Sequence, residues 1–203
     1  MKTKPRAAPS ARFTLDRGQI VPALIGRHQD FLIITGLAGA VYEIAALTGH
    51  ADYFYGMGGA MGTASMMGLG LALAQPERRV LVVTGDGEML MSLGSLATIA
   101  TINPPNLSIL CVDNGHYGET GYQESHTARG VDLEAIAKGA GIKLSHSVFT
   151  DADVAEGARL LRVGGDTSFV LASVQPIDGP KGKLNLNGAM CRDIFRRALL
   201  GPP

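Results

Sequence analysis

Along most of the chain, apolar runs of strand length alternate with helical patterns. Strands are predicted at Phe31 to Thr35, Tyr53 to Tyr55, Val80 to Thr84, Leu107 to Asp113, Lys143 to Ser147 and Ser168 to Val174. Helices are predicted between them, at Asp16 to Gly26, Ala38 to Leu47, Thr63 to Ala74, Met89 to Ile102, Leu133 to Ala140 and Asp151 to Arg162, with a last one at Asn187 to Leu199. The strands read as continuous apolar runs, and such runs are buried on both faces, so the pattern implies an α/β fold: one three-layer domain with a mostly parallel central sheet. Asn103-Pro104-Pro105 stops one helix. Asn114 to Gly130 has no periodicity and is read as a loop long enough to suspect function. There is no repeat and no interdomain linker. The basic segment over residues 1–14 is read as a flexible leader and residues 15–203 as the domain.

Composition narrows the function classes. The 203 residues are 46% hydrophobic, enough for one core. The 18 basic and 18 acidic residues cancel, so no general field attracts nucleic acid or an anionic membrane. The most apolar stretch, Gly56 to Ala74, is broken by glycines and predicts no membrane span. A soluble, cytoplasmic protein is expected. Cys111 and Cys191 lack metal-ligand spacing and suggest neither a disulfide framework nor a zinc site.

Candidate chemistry lies at two strand ends. Gly85-Asp86-Gly87 closes one strand and Asp113-Asn114-Gly115-His116-Tyr117 closes the next. Parallel α/β sheets bind ligands at the carboxyl ends of their strands. Mg²⁺ prefers oxygen ligands, commonly one or two carboxylates together with substrate phosphates, so Asp86, Asn114 and a backbone carbonyl would suffice. Gly85 and Gly87 permit a tight turn and let backbone N–H groups approach an anion where a helix begins near Glu88. His116, Tyr117, Glu119 and His126 follow on the loop, and His116 or His126 could move protons near neutral pH. Neither a P-loop nor a Gly-x-Gly-x-x-Gly strand turn is present.

Gly-Asp-Gly followed, after a spacer, by Asn resembles thiamine diphosphate (ThDP) enzymes; here Asp86 and Asn114 are 28 positions apart. The resemblance implies that Asp86, Asn114 and the carbonyl of His116 hold the metal that grips the diphosphate. Tyr55-Gly56-Met57-Gly58-Gly59-Ala60-Met61-Gly62 resembles the family's aminopyrimidine turn. It implies that the Gly59 carbonyl accepts a hydrogen bond from the cofactor and that Met61 props it in its bent form. Gly36 and Leu37, in another strand-to-helix turn, are expected to add backbone N–H groups to the diphosphate. Gly85, Gly87, Glu88, His116 and Tyr117 complete the expected cofactor contacts.

The match spans roughly Leu15 to Gln175 and is similar to the family's diphosphate-binding (PP) domain. The activating glutamate belongs to a pyrimidine-binding (PYR) domain, expected from a separate α subunit. A homodimer alone, or an α₂β₂ or larger assembly, is implied. Gly85 to Thr98 and Pro104 to Gly121 resemble sulfopyruvate and phosphonopyruvate decarboxylases most, which implies decarboxylation of a small 2-oxo acid to CO₂ and an aldehyde. Arg129, Lys181 or Lys183 could meet an acidic substituent on that substrate. Two alternatives stand beside this reading: the PP half of a ThDP carboligase, oxidoreductase or transferase, and a non-enzymatic α/β binding module. Asp113, where many relatives have Asn, and Gly115-His116, where many have Asp-Gly, are the departures from the pattern.

Overall fold

In the computed structural model, which describes residues 12–201, six parallel strands form one sheet. They are β1 (Phe31–Thr35), β2 (Phe54–Gly56), β3 (Arg79–Gly85), β4 (Leu107–Asp113), β7 (Leu144–Val148) and β8 (Ser168–Ser173), in the order β2-β1-β3-β4-β8-β7. Side chains alternate across a strand, so Phe31 and Ile33, Leu81 and Val83, and Leu110 and Val112 feed one core. Leu32 and Ile34, Val80 and Val82, and Ile109 and Cys111 feed the other. Helices α1 (Arg17–Ile25), α2 (Gly39–Thr48) and α7 (Val154–Leu160) cover the first face. Helices α3 (Ala64–Ala74), α5 (Gly94–Ile102), α6 (Leu133–Ala140) and α8 (Gly188–Leu200) cover the second. The three-layer α/β architecture expected from the apolar runs is the one observed.

From β1 the chain steps outward to β2 and then returns to the other side of β1 to form β3. The strand order therefore reverses between β1 and β3. Helices leave the two carboxyl ends on opposite faces there, which opens the crevice where such sheets take ligands.

Two segments differ from expectation. The helix expected over Met89 to Ile102 is two helices, α4 (Asp86–Met91) and α5. The break falls at Ser92, whose φ of −130° leaves the helix and whose carbonyl accepts both the Ser95 N–H and its hydroxyl. The expected loop Asn114–Gly130 holds a short antiparallel ribbon, β5 (His116–Tyr117) with β6 (Gln123–Glu124). Of the leader expected over 1–14, residues 1–11 lie outside the described residues, and the Arg12 and Thr14 carbonyls accept from Ser173 and Gln175.

Close packing of α3 on β3 depends on one glycine. A Cβ on Gly68 would stand 2.1 Å from Cγ2 of the fully buried Val82. Gly68→Ala gains at most ~1 kcal/mol of helix propensity but forces α3 off the sheet, at about 1–3 kcal/mol. The variant is expected to melt several degrees below wild type; an unchanged or higher Tm would show that α3 yields freely.

Candidate functional site

Strands β3 and β4 are adjacent and in parallel register, Gly85 opposite Val112. This juxtaposes the two turns that sequence places 28 residues apart. Asp86 is the first residue of α4, and its side chain is buried, 2% exposed. Asn114 lies beside it on the wall of a cavity of about 410 Å³. Leu37, Met61, Gly85, Gly87, Glu88, His116 and Tyr117 line the same cavity. Gly36, Gly59 and His126 do not line it.

Gly87 is required by a close approach rather than by its backbone angle: a Cβ there would lie 2.5 Å from the Tyr117 ring and 3.6 Å from Met61 Cε. Met61 and Tyr117 thus bracket the Gly85-Asp86-Gly87 turn. At the departure from the family pattern, Gly115 takes the left-handed conformation with φ +69°, and a Cβ would collide with Phe13 at 2.9 Å. His116 keeps an ordinary backbone. Its N–H donates to Asn114 Oδ1 at 3.0 Å, and its ring Nδ1 lies 2.9 Å from the Asn114 carbonyl. His126 is exposed, with Nδ1 3.5 Å from the Tyr117 hydroxyl.

Gly36 faces Glu88 rather than the cavity. Its N–H donates to the Val83 carbonyl, and a Cβ on it would overlap the Glu88 carboxylate at 1.3 Å. Glu88 is 5% exposed; its Oε1 accepts from the Ala64 N–H at 3.4 Å and its Oε2 is without a partner. Burial raises its pKa, offset in part by backbone N–H groups including those of Ala64, Leu37 and Gly62. The Glu88 side chain therefore braces two neighbouring turns, a role the sequence did not suggest, while its backbone stays at the helix start.

Behind Asp86 lies a hydroxyl-bridged pair of carboxyls. Asp86 Oδ2 accepts from the Ser125 hydroxyl and is 3.2 Å from Thr127 Oγ1; Thr127 Oγ1 is 2.6 Å from Asp113 Oδ1 and 2.9 Å from Ser125 Oγ. Two hydroxyl protons cannot serve all four of these contacts, and a proton held by the carboxyls would supply a third. Burial pushes both acids up. Asp113, fully buried and facing the Asp86 charge, reaches about 7, while Asp86 is raised by burial against the two hydroxyl bonds. A protonated Asp113 would have the shape and neutrality of Asn. Ser125 and Thr127 were missed from sequence, where Ser-His-Thr in a glycine-rich loop carries no diagnostic spacing.

The far end of the cavity is formed by Arg17, Tyr42, Tyr122 and the segment Asp178 to Lys181. Tyr122, held at φ +60°, donates its hydroxyl to Asp178 at 2.7 Å, and Lys181 pairs with the other Asp178 oxygen at 2.7 Å. Arg129 is exposed and paired with Glu124. Lys183 is exposed, and of the three expected cations only Lys181 borders the cavity.

The oxygens at these two strand ends are those of one buried carboxylate, one side-chain amide and backbone carbonyls. No cluster of three His, Cys, Asp or Glu suited to a metal occurs among the described residues. An oxygen set with few charges fits Mg²⁺ that keeps water or phosphate in its remaining positions, and does not fit a soft transition metal. Asp86 Oδ2 is orientated by Ser125, as a carboxylate ligand is held by outer hydrogen bonds.

Fold and site define an α/β domain with a switch-point crevice of the kind in which such sheets take ligands. The chain belongs to the family described as thiamine pyrophosphate enzyme, C-terminal TPP binding domain, which matches residues 35–172. It is 53% identical over 111 residues to the sulfopyruvate decarboxylase subunit beta of Methanocaldococcus jannaschii, covering 55% of this chain and 58% of that one. The subunit beta of Methanococcus maripaludis is 32% identical, with 91% of this chain and 98% of that one covered. A phosphonopyruvate decarboxylase of Streptomyces viridochromogenes is 36% identical over 86% of this chain, which spans 44% of its length. Among solved structures, benzoylformate decarboxylase from Polynucleobacter necessarius shares the fold at TM-score 0.67 and 19% identity, over 89% of this chain and 36% of that one.

Proposed function

We propose that the chain is the diphosphate- and Mg²⁺-binding subunit of a two-subunit ThDP-dependent decarboxylase acting on a 2-oxo acid of the sulfopyruvate or phosphonopyruvate type. The observation that carries this reading is the meeting of Asp86 and Asn114 at adjacent strand ends on one cavity wall, opposite Leu37 at the switch point. Bound ThDP supplies a carbon nucleophile and an electron sink for the departing CO₂, which side chains do poorly. Asp86, Asn114 and the His116 carbonyl would hold Mg²⁺. The backbone N–H groups of Gly87 and Glu88 would meet the diphosphate, while Met61 would orient the pyrimidine. His116, whose ring is tied to the Asn114 carbonyl, would give or take a proton at the cavity, and His126 would act only through Tyr117.

Two of the named relatives are subunits beta, which supports a partner supplying the activating glutamate. A face beside the cavity suits one. Helices α3 and α5 carry no charged residue, yet Met66, Leu73, Met91 and Ile102 are 42–67% exposed, and Met91 abuts Gly62 at the cavity turn. An apolar patch of this kind marks a protein interface. No helix among the described residues is long and apolar enough to cross a membrane.

The test is CO₂ and aldehyde release from 3-sulfo- and 3-phosphonopyruvate with ThDP and Mg²⁺, using the chain alone, a PYR-domain subunit alone, and both. Turnover is expected only with both. A condensation product in place of the aldehyde would favour the carboligase alternative, and no turnover with any 2-oxo acid would sink the decarboxylase reading.

A further inference from the structure

The Glu88 carboxylate sits where the turns after β1, β2 and β3 meet. Gly36 and Leu37 come from the first, Gly62 to Ala64 from the second, and Glu88 itself from the third. The Ala64 N–H, the first of α3, donates to Glu88 Oε1 at 3.4 Å, and the N–H groups of Leu37 and Gly62 also face the carboxylate. Thr63, the N-cap of α3, makes no capping bond and gives its hydroxyl to the Ala60 carbonyl. A carboxylate from another strand end thus serves N–H groups that the helix start leaves over. A Cβ on Gly36 would overlap that carboxylate. Gly36 does not have a left-handed backbone, so room for Glu88, not a turn angle, is what requires glycine there.

What the carboxylate tethers is the turn that carries Met61. Gly58 and Gly62 of this turn are left-handed, at φ +60° and +81°, and Gly59, Ala60 and Thr63 are exposed. At its start the Met57 N–H donates to the Thr35 carbonyl at the end of β1; the Ala60 and Met61 N–H groups donate only within the turn. At its far end, among the described residues, the polar link to the rest of the site is Glu88. Gly87, the residue before Glu88, is the one whose bare Cα lies against Met61 Cε and the Tyr117 ring. One side chain therefore sets how far Met61 stands from the Gly85-Asp86-Gly87 turn. A glycine-rich segment without that link would sample many positions, and ordering it when a ligand arrives would cost affinity.

We propose that Glu88 is a positioning residue whose side chain preorganises the Gly58–Gly62 turn, so that Met61 meets the pyrimidine end of the cofactor while the Gly85-Asp86-Gly87 turn holds the diphosphate end. This rests on the ThDP reading, and the test separates the two. The complex with its PYR-domain subunit is titrated by calorimetry, in Mg²⁺, with ThDP and with inorganic pyrophosphate, which has no pyrimidine end. In Glu88→Ala the ratio of ThDP to pyrophosphate affinity is expected to fall about 10-fold, the worth of a hydrogen bond to a charged group, with pyrophosphate binding retained. Gly36→Ala leaves α4 untouched but takes the place of the carboxylate, and is expected to lower the ratio as much; it decides the matter where Glu88→Ala does not fold. Once Glu88→Ala has emptied that space the added methyl fits, so the double variant should bind ThDP no worse than Glu88→Ala alone, as residues in contact are non-additive. Amide hydrogen exchange in the ligand-free complex should quicken at Gly62 and Ala64 in Glu88→Ala and stay unchanged in α5. An unchanged ratio overturns the proposal, as do unaltered exchange at Gly62 and Ala64 and additive losses in the double variant. Equal loss of both ligands also overturns it, since Glu88 would then brace the diphosphate site alone. Wild type that binds neither ligand sinks the ThDP reading itself.

Discussion

Asp86→Ala is expected to weaken Mg²⁺-dependent ThDP binding by about 100-fold or more. Loss of an outer-shell partner of a metal ligand already costs about 10- to 100-fold, and Asp86 is the single carboxylate on the proposed metal. The variant is not expected to unfold. Asp86 faces Asp113 across Thr127 in a buried setting, so its removal relieves repulsion and lowers the Asp113 pKa toward its ordinary range. Thermal scans without ligand should therefore show the variant as stable as wild type or more so at pH 8, with the shift on adding ThDP and Mg²⁺ abolished. Calorimetry that finds equal ThDP affinity in the two proteins would remove Asp86 from the metal site. Collapse of the ligand-free variant would show that the carboxylate is structural first.

The second large effect is a pH dependence centred on Asp113, whose folded pKa is raised from 3.8 to about 7 by burial and the Asp86 charge. The folded protein thus holds this proton more tightly than the unfolded chain. Stability from this group is present in full below about pH 4 and is lost as pH rises through about 7, over a range on the order of 4 kcal/mol. Metal-free protein should accordingly unfold at lower urea concentration at pH 8 than at pH 5. Asp113→Asn keeps the shape and removes the titration, so its urea midpoint should exceed that of wild type at pH 8 and depend less on pH, with Mg²⁺ binding retained. Parallel pH profiles in the two proteins would exclude Asp113 as the source. Because Mg²⁺ relieves the same repulsion, the stabilisation it gives wild type should be larger at pH 8 than at pH 5.

The two strand ends were readable because each motif is local: an apolar strand, a turn of small residues and a short oxygen-bearing side chain. Asp86, Asn114, Met61 and Tyr117 line one cavity. Gly36 was legible as a turn but not in its direction, because what it faces is the Glu88 carboxylate, brought in from another strand end. The split between α4 and α5 escaped because the apolar pattern runs through Ser92 without interruption, whereas the break is a backbone departure, φ −130° at Ser92, that hydropathy does not mark. The ribbon His116–Tyr117 with Gln123–Glu124 escaped because two-residue strands have no period to detect.

Sequence by itself determined the parallel α/β layering, since runs such as Phe31–Thr35 and Leu107–Asp113 can be buried only between two layers of helices, and it determined which strand ends carry the metal-type oxygens. Tertiary structure alone decided what stands around them. The Ser125–Thr127 bridge between Asp86 and Asp113, and the Arg17–Glu43 pair against Gly39, join residues 14 to 41 positions apart in the chain. Their pairing depends on strand order and helix approach, which no local pattern encodes, and the charge state of a buried carboxyl follows from those neighbours.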